Sequence, residues 1–113
     1  MFVEQKEIKM SMARITMVNY LSEEVGDAFE VQAKEVFPKD IHQADSLILI
    51  RTGPLSGMSV AIYKNQETAD NNLDARKKMI AGFTNTFKDI WHMEGNVSLN
   101  HINSRMIVGE DNS

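Results

Sequence analysis

The side chains of this sequence that could take part in chemistry are few and far apart. Arg76 interrupts the apolar stripe of a predicted helix, where its guanidinium must either reach water or bind a carboxylate. A cavity beside that stripe would allow Arg76 to hold an acidic ligand. Pairing with a carboxylate such as Glu30, or with a chain end, explains the residue equally well. Tyr63 ends a predicted strand and is either a packing aromatic or a hydroxyl at the mouth of such a cavity.

Trp91 and His92 are neighbours in FKDIWHMEG, residues 87–95, which we interpret as the last turns of a helix. Adjacent helical side chains diverge by about 100°, so these two cannot share one pocket wall. We expect Trp91 to anchor the core or a dimer contact, and His92 to lie at the helix C-terminus, where the dipole favours a cation. His101, on an apolar strand face, could transfer a proton in a cavity or form a hydrogen bond at an interface.

A metal site is not expected, because the three histidines, at 42, 92 and 101, include no pair at helical spacing and the chain has no cysteine. No cofactor motif is present, so we predict neither a metal nor a cofactor. The candidate ligand-binding residues are Tyr63, Arg76, Trp91 and His101. The only candidates for catalysis are His101 and Trp91, and the sequence assigns neither of them a reaction.

Size and charge restrict the class of protein. A chain of 113 residues and 12.8 kDa has room for one domain. We place the lead-in at 1–11, the domain at 12–108 and a polar tail at 109–113. The net charge of -4 disfavours attraction to nucleic acid or anionic lipid. No stretch approaches the ~20 apolar residues of a membrane span, and the first residues lack the apolar run of a signal peptide, so a cytoplasmic location is expected.

The first half of the chain predicts three strands and a helix. MARITMVNY, residues 12–20, alternates with the two-residue period of a strand. Apolar residues at helical spacing then predict a helix over 22–37, which Pro38 ends. The apolar run at 47–51 and the alternating segment at 58–63 flank a glycine-rich turn, so they predict a β-hairpin.

The second half predicts one long helix and further strands. Asn65 is a suitable N-cap, and apolar positions at helical spacing continue from there to the terminal Gly95. A glycine in the middle of this segment predicts a kink or break near 82–86. Alternation at 96–102 predicts the fourth strand, and 104–108 could add a short edge strand.

This order of elements predicts an α+β fold. Strand, helix, strand, strand, helix, strand is the βαββαβ pattern of a ferredoxin-like sandwich, a four-stranded antiparallel sheet with two helices on one face. The first strand carries Ala13, Ile15 and Met17 on the side away from Thr16 and Val18. The second sheet face is therefore apolar as well, and we predict that a homodimer covers it.

The chain resembles the dimeric α+β barrel superfamily, and within it the antibiotic biosynthesis monooxygenase-like proteins. The resemblance covers residues 12 to about 103 and rests on the element order, on RTGPLSGMSVAIY and on YKNQETADNNLDARKKM. Relatives that are cofactor-independent oxygenases or haem-degrading enzymes place a tryptophan or histidine about nine residues beyond the strand-three aromatic. Asn72 occupies that position here. Asn19 could supply the strand-one asparagine of the haem-degrading members, but no axial histidine completes their triad.

Three functions are compatible with these observations. The first is a homodimer that binds a small apolar or acidic molecule between sheet and helices. The second, implied by the resemblance, is a cofactor-independent monooxygenase acting on an aromatic or polyketide-like compound, with apolar walls that exclude water. The third is a structural or regulatory dimer whose interior is filled by side chains.

Overall fold

A computed structural model describes residues 10–103 of the protein. The elements are β1 (Met12–Tyr20), α1 (Glu23–Asp40), β2 (Ser46–Gly53), β3 (Ser56–Tyr63), α2 (Gln66–Asn71), α3 (Leu73–Ala81) and β4 (Phe87–Asn96). The strands form one antiparallel sheet in the order β2-β3-β1-β4. The predicted ferredoxin-like α+β class is therefore confirmed.

Within the described range, no helix has the length and apolarity needed to cross a membrane. The predicted edge strand at 104–108 lies outside the described residues.

Strand β1 is the centre of the sheet, because it pairs with β3 on one side and with β4 on the other. Its side chains alternate between two faces as predicted. Val18 and Tyr20 are buried beneath the helices, whereas Ile15 and Met17 lie on the opposite face. We call the second surface the open face; β1 therefore divides the molecule into a helix-covered layer and an apolar exposed one.

Helix α1 begins as predicted but ends later. The Ser22 hydroxyl accepts a hydrogen bond from the amide of Val25 at 3.1 Å and caps the N-terminus. The helix then continues through Pro38, so the predicted stop at this residue is wrong. A proline removes one intrahelical hydrogen bond, but Phe37 and Ile41 on either side of it are buried in the core. Their burial holds the last turn in place.

The predicted second helix is two helices that meet at Asn72. Asn65 caps α2 as expected, accepting from the amide of Thr68 at 2.8 Å. Asn72 then ends α2 and precedes α3, and its buried side chain donates to the Tyr63 hydroxyl at 3.1 Å. The break predicted near 82–86 is the end of α3. A polar side chain that bonds to the sheet, rather than a glycine, thus divides the helical segment.

Strand β4 is the largest departure from the sequence prediction, because residues 87–95 are not helical. The register places Asn19 opposite Asp89 but Tyr20 opposite Phe87, so Lys88 is an extra residue in a β-bulge. The bulge places Phe87 and Ile90, three apart, on the same face of a strand. That spacing imitates the period of a helix, and the bulge cannot be recognised without the partner strand.

Residues 97–103 contain no strand, so the predicted fourth strand at 96–102 is wrong. The reason is that β4, which precedes this segment, already occupies the free edge of β1. His101 consequently lies exposed beyond the end of the sheet and does not share a buried strand face.

Aromatic rings fill the core beneath the helices. Phe29 of α1 is their hub, with ring centroids 4.9 to 5.8 Å from those of Phe83, Phe87, Tyr20 and Phe37. Tilted and edge-to-face pairs of this kind add stability beyond the area they bury. The core therefore depends on one residue of the first helix.

Arg51 attaches α1 to the β2–β3 hairpin. Its guanidinium donates to Asp27 and Glu30 at 3.0 Å each and lies 5.2 Å from the centroid of the Tyr20 ring. Glu30 therefore pairs with Arg51, so the expected pairing of Arg76 with Glu30 is wrong, and the chain ends lie outside the described residues. Arg51 thus joins α1 to β2 and to the turn that follows it.

Tyr20 also explains a glycine in β3. A Cβ built on Gly57 would overlap the Tyr20 hydroxyl oxygen. A Cβ built on Gly26 of α1 would come within 2.7 Å of a ring carbon of Tyr20, so both glycines pack closely against this ring. We expect Gly57→Ala to lower the free energy of unfolding by about 1–3 kcal/mol, the usual cost of overpacking, measured by urea denaturation. Gly95→Ala in β4 is the matched control, because its Cβ would meet no atom within 4 Å. Equal unfolding midpoints for the two variants would contradict the described position of Tyr20.

Candidate functional site

A narrow cavity lies between the helix-covered face of the sheet and helices α1 and α3. Phe29, Leu49, Met79 and Ile90 are among its apolar walls, and Thr16, Ser59 and Arg76 contribute polar groups. The cavity volume is about 30 Å³, and the space between the surrounding side chains reaches about 470 Å³ when its opening to solvent is included. The cavity itself has room for a water or two and is smaller than a typical ligand site.

Arg76 of α3 reaches across this cavity to the sheet. Its Nη2 donates to the Thr16 hydroxyl on β1 at 2.6 Å and lies 2.9 Å from Nδ1 of His92 on β4. Among residues 10–103, no carboxylate comes within ion-pairing distance of this guanidinium. Burial, followed by the positive charge of Arg14, lowers the pKa of Arg76, but a guanidinium keeps its proton in proteins. The site therefore contains a partly buried cation without an anionic partner in the described chain.

His92 has a defined protonation pattern in this arrangement. A guanidinium has donors only, so the Nδ1 that faces it must be an acceptor, and the proton of the neutral ring lies on Nε2. The Thr16 hydroxyl oxygen is 3.2 Å from the same Nδ1. The ring is exposed on its other side. Loss of hydration where it contacts Arg76 and Thr16, followed by the charge of Arg76, lowers the pKa of His92 and favours the neutral imidazole. His92 thus lies beside the polar end of the cavity, in contact with two residues that line it.

Arg14 is a second buried cation, but it is fully paired. Its three guanidinium nitrogens donate to the backbone carbonyl of Ala69 at 2.6 Å, to Asp70 at 2.9 Å and to Glu94 at 3.2 Å. These bonds attach α2 to the centre and the edge of the sheet. Arg14 is therefore a structural residue whose charge is neutralised by two carboxylates, in contrast to Arg76.

Tyr63 and Asn72 form a buried polar pair near the helix break. Both side chains are almost fully buried, and the amide of Asn72 donates to the Tyr63 hydroxyl at 3.1 Å. Within the described chain the side-chain oxygen Oδ1 of Asn72 has no hydrogen-bond partner. Arg76 lies one helical turn further along, and its backbone amide donates to the backbone carbonyl of Asn72 at 3.1 Å. Tyr63 is thus a buried packing aromatic behind the site and does not line the cavity.

The structure brings together only part of the predicted ligand-binding set. Arg76 enters the cavity and Tyr63 lies behind it, whereas Trp91 is on the open face, 49% exposed, and His101 lies beyond β4. Trp91 is therefore neither helical nor part of the core, whereas its expected place at a dimer contact stays a prediction. Two residues that sequence reasoning did not select, Thr16 and His92, complete the polar end. Had residues 87–95 been recognised as a strand, its alternation would have placed His92 on the face opposite to Trp91, and pairing with β1 places it next to Thr16.

The open face of the sheet is apolar across all four strands. Two cross-strand rows of side chains run over it, as the pairing registers show: Ile50, Met58, Met17 and Trp91, and then Ile48, Val60, Ile15 and Met93. Several of these side chains remain about half exposed. The prediction that the second face of the sheet is also apolar is confirmed.

The described residues include no group of three acidic or histidine side chains arranged to hold a metal ion. Arg76, His92 and Thr16 instead present hydrogen-bond donors next to an apolar space. A group that accepts hydrogen bonds, such as an anionic or carbonyl oxygen, is the chemical complement of that arrangement.

Comparison with known proteins finds similarity in structure alone, since no protein-family model and no curated sequence matches the chain. A dimeric ferredoxin-like protein from an uncultured marine organism has a TM-score of 0.67 at 13% identity, covering 85% of this chain and 95% of its own. A protein from Bacteroides thetaiotaomicron, named as a candidate antibiotic biosynthesis monooxygenase, has 0.66 at 12%, covering 85% and 97%.

An oxygenase shares the same fold. SnoaB, a cofactor-independent oxygenase from Streptomyces nogalater, has a TM-score of 0.62 at 7% identity, covering 80% of this chain and 95% of its own. Identities this low establish the fold and nothing finer. The chain therefore has the fold of the dimeric ferredoxin-like and antibiotic biosynthesis monooxygenase-like proteins, as its resemblance to the dimeric α+β barrel superfamily implied.

Proposed function

We propose that this protein is a homodimer that binds a small, largely apolar molecule through an acidic group at Arg76. The proposal rests on the contrast between Arg76 and the other two arginines of residues 10–103, which are paired with carboxylates. Arg14 and Arg51 each contact two carboxylates, whereas Arg76, at the polar end of an apolar cavity, contacts a hydroxyl and an imidazole. An anionic ligand would supply the missing partner.

The remaining donors of Arg76 support this role. Only its Nη2 forms hydrogen bonds within the described residues, so Nε and Nη1 are available. Charge-assisted bonds from a guanidinium to a carboxylate or a similar oxyanion are among the strongest in proteins, and they are often bidentate. The apolar walls beside Arg76 would then contact the rest of the ligand.

The width of the cavity implies that its walls move when a ligand enters. Met79 and Ile80 belong to α3 and line the space. Methionine has an unbranched, adaptable side chain that fills irregular gaps and repacks at low cost. We therefore place the movement in α3, the same helix that carries Arg76.

The open face supports the homodimer. Monomeric soluble proteins seldom expose one contiguous apolar patch of this extent, and here two rows of four side chains cross the whole sheet. A second copy would present the same rows, so the surface can cover itself about a two-fold axis.

A second candidate function is a cofactor-independent oxygenase for an aromatic or polyketide-like substrate. The shared fold of SnoaB favours it, as does a largely apolar cavity in which Arg76 and the Nε2–H of His92 could stabilise an enolate oxygen. Oxygen consumption with anthrone as substrate, lost in Arg76→Met, would support this function. Ligand binding without oxygen consumption would leave the first proposal as the better one.

Isothermal titration with two ligands of equal shape tests the proposal. We expect 2-naphthalenesulfonate to bind more tightly than the neutral 2-naphthalenesulfonamide, because only the sulfonate carries a charge for Arg76. Arg76→Met should weaken sulfonate binding by about 10- to 100-fold, the equivalent of a charged hydrogen bond of about 1.5–3 kcal/mol, and should leave sulfonamide binding nearly unchanged.

Lys77→Met removes a positive charge from an exposed position of the same helix and is the matched control. Its affinity for both ligands should equal that of the unmodified protein. Equal affinities for the two ligands, or a sulfonate affinity that survives Arg76→Met, would overturn the proposal. If neither the sulfonate nor the sulfonamide binds, the result would overturn the proposal and favour a dimer with a filled interior.

A further inference from the structure

We infer that the site binds a proton together with its acidic ligand, and that His92 is the residue that receives it. The inference rests on the proposed function, because it adds a second component to the same site. It starts from the contact between Arg76 and Nδ1 of His92, because binding of an anion to Arg76 changes whether Nδ1 accepts or donates a hydrogen bond.

The geometry around Arg76 favours a neutral His92. Arg76 Nη2 is 2.9 Å from Nδ1, and the Thr16 hydroxyl oxygen is 2.6 Å from Nη2 and 3.2 Å from Nδ1. A proton on Nδ1 would bring two donors and two positive charges face to face. The contact with Arg76 therefore disfavours a proton on Nδ1 when no anion is bound to the guanidinium.

An anion bound to Arg76 reverses this preference. It accepts hydrogen bonds from the guanidinium and compensates its charge, so that the repulsion against a proton on Nδ1 is removed. The protonated Nδ1 then becomes a donor, with the Thr16 hydroxyl oxygen, and the anion itself, as acceptors within the same small space.

The other charged groups near His92 are already paired. Arg14 on β1 and Glu94 on β4 lie two positions away from Thr16 and His92 on the same sheet face, and they bind each other. Asp70 of α2 also bonds to Arg14. Arg76 is consequently the unpaired charge that faces His92 from the described elements, and a ligand that binds Arg76 controls the field at the imidazole.

The sign of the pH dependence follows from these contacts. Loss of hydration next to Arg76, and the charge of Arg76, keep the pKa of His92 below its ordinary value when no anion is bound. A bound anion raises that pKa, so binding takes up a proton in the pH range between the two values. Affinity for an anion must therefore increase as the pH falls.

Titration calorimetry with 2-naphthalenesulfonate between about pH 8 and about pH 5.5 tests the inference, because the sulfonate stays ionised throughout. We expect the affinity to rise by up to about tenfold per pH unit in the range between the pKa of His92 in the free protein and its pKa in the complex. Measurements in two buffers of different ionisation enthalpy should show net uptake of up to about one proton per site. The dependence of affinity on pH should disappear when the titratable group is removed.

Two variants identify the proton-binding residue. His92→Asn keeps a polar group near the position of Nδ1 but does not titrate, so its sulfonate affinity should not vary with pH and its proton uptake should be zero. His42→Asn removes an exposed histidine outside the cavity and should behave like the unmodified protein. Nuclear magnetic resonance titration of the His92 ring gives a direct measurement that needs no variant: its pKa should rise when the sulfonate is bound.

The outcomes separate this inference from the proposed function. Sulfonate binding that depends on Arg76 but not on pH, a pH dependence that persists in His92→Asn, or an unchanged His92 pKa would each overturn the proton-linked site and leave the acidic ligand in place. Binding that is insensitive to Arg76→Met would instead remove the proposed function, and the inference with it.

Discussion

Replacing Met17 by glutamate is expected to dissociate the proposed dimer into monomers of 12.8 kDa. Met17 lies in the central strand and pairs with Met58 on one side and Trp91 on the other, in the middle of the open face. An unpaired charge buried at an interface costs about 3–5 kcal/mol. Because a two-fold interface contains every residue twice, this cost applies to both copies at once.

Sedimentation velocity at micromolar concentration measures the result. The unmodified protein should sediment as a dimer of twice 12.8 kDa, and Met17→Glu as a monomer with an unchanged circular dichroism spectrum, since the glutamate is hydrated in the separated chain. Val31→Glu is the matched control, because Val31 is 70% exposed on the helix layer and its variant should remain dimeric. An unmodified protein that is monomeric, or a dimeric Met17→Glu, would show that the open face is not the interface.

Replacing Phe29 by alanine is expected to destabilise the fold by about 3–5 kcal/mol, the usual cost of truncating a buried aromatic residue. Phe29 is the hub of the ring cluster and also a wall of the cavity. The variant loses its edge-to-face contacts and leaves a void that the surrounding rings fill only in part. Urea denaturation gives the change in the free energy of unfolding.

The enlarged cavity gives Phe29→Ala a second measurable property. An apolar compound such as benzene should raise the thermal unfolding midpoint of the variant more than that of the unmodified protein, because it fills the new space. Val31→Ala, two residues along the same helix and exposed, should change stability by less than about 0.5 kcal/mol. A loss below about 1 kcal/mol in Phe29→Ala would mean that the cluster is not packed around this ring.

Local patterns were sufficient for most of the fold as far as the start of α2, although Pro38 does not end α1 as predicted. The alternation of β1 set its two faces, Ser22 and Asn65 marked helix starts, and the glycine-rich turn after β2 defined the hairpin. Each of these depends on residues within a few positions of one another. The apolar character of the open face also followed from the alternation alone.

The last third required the partner strand. The bulge at Lys88 placed Phe87 on the same face as Ile90, so the spacing of these two residues imitated a helix. The break at Asn72 depended on a hydrogen bond to Tyr63, nine residues away on another element. Neither feature has a local sequence pattern strong enough to compete with the apolar periodicity.

The same division applies to the site. The sequence by itself identified Arg76, because a charge on an apolar stripe is anomalous wherever the helix packs. Only the tertiary structure decided that its neighbours are Thr16, sixty residues earlier, and His92, sixteen later, and that Trp91 faces the other way. Periodicity records whether a side chain is buried; which groups meet there is fixed by the pairing of β1 with β4, an interaction between segments that no local pattern contains.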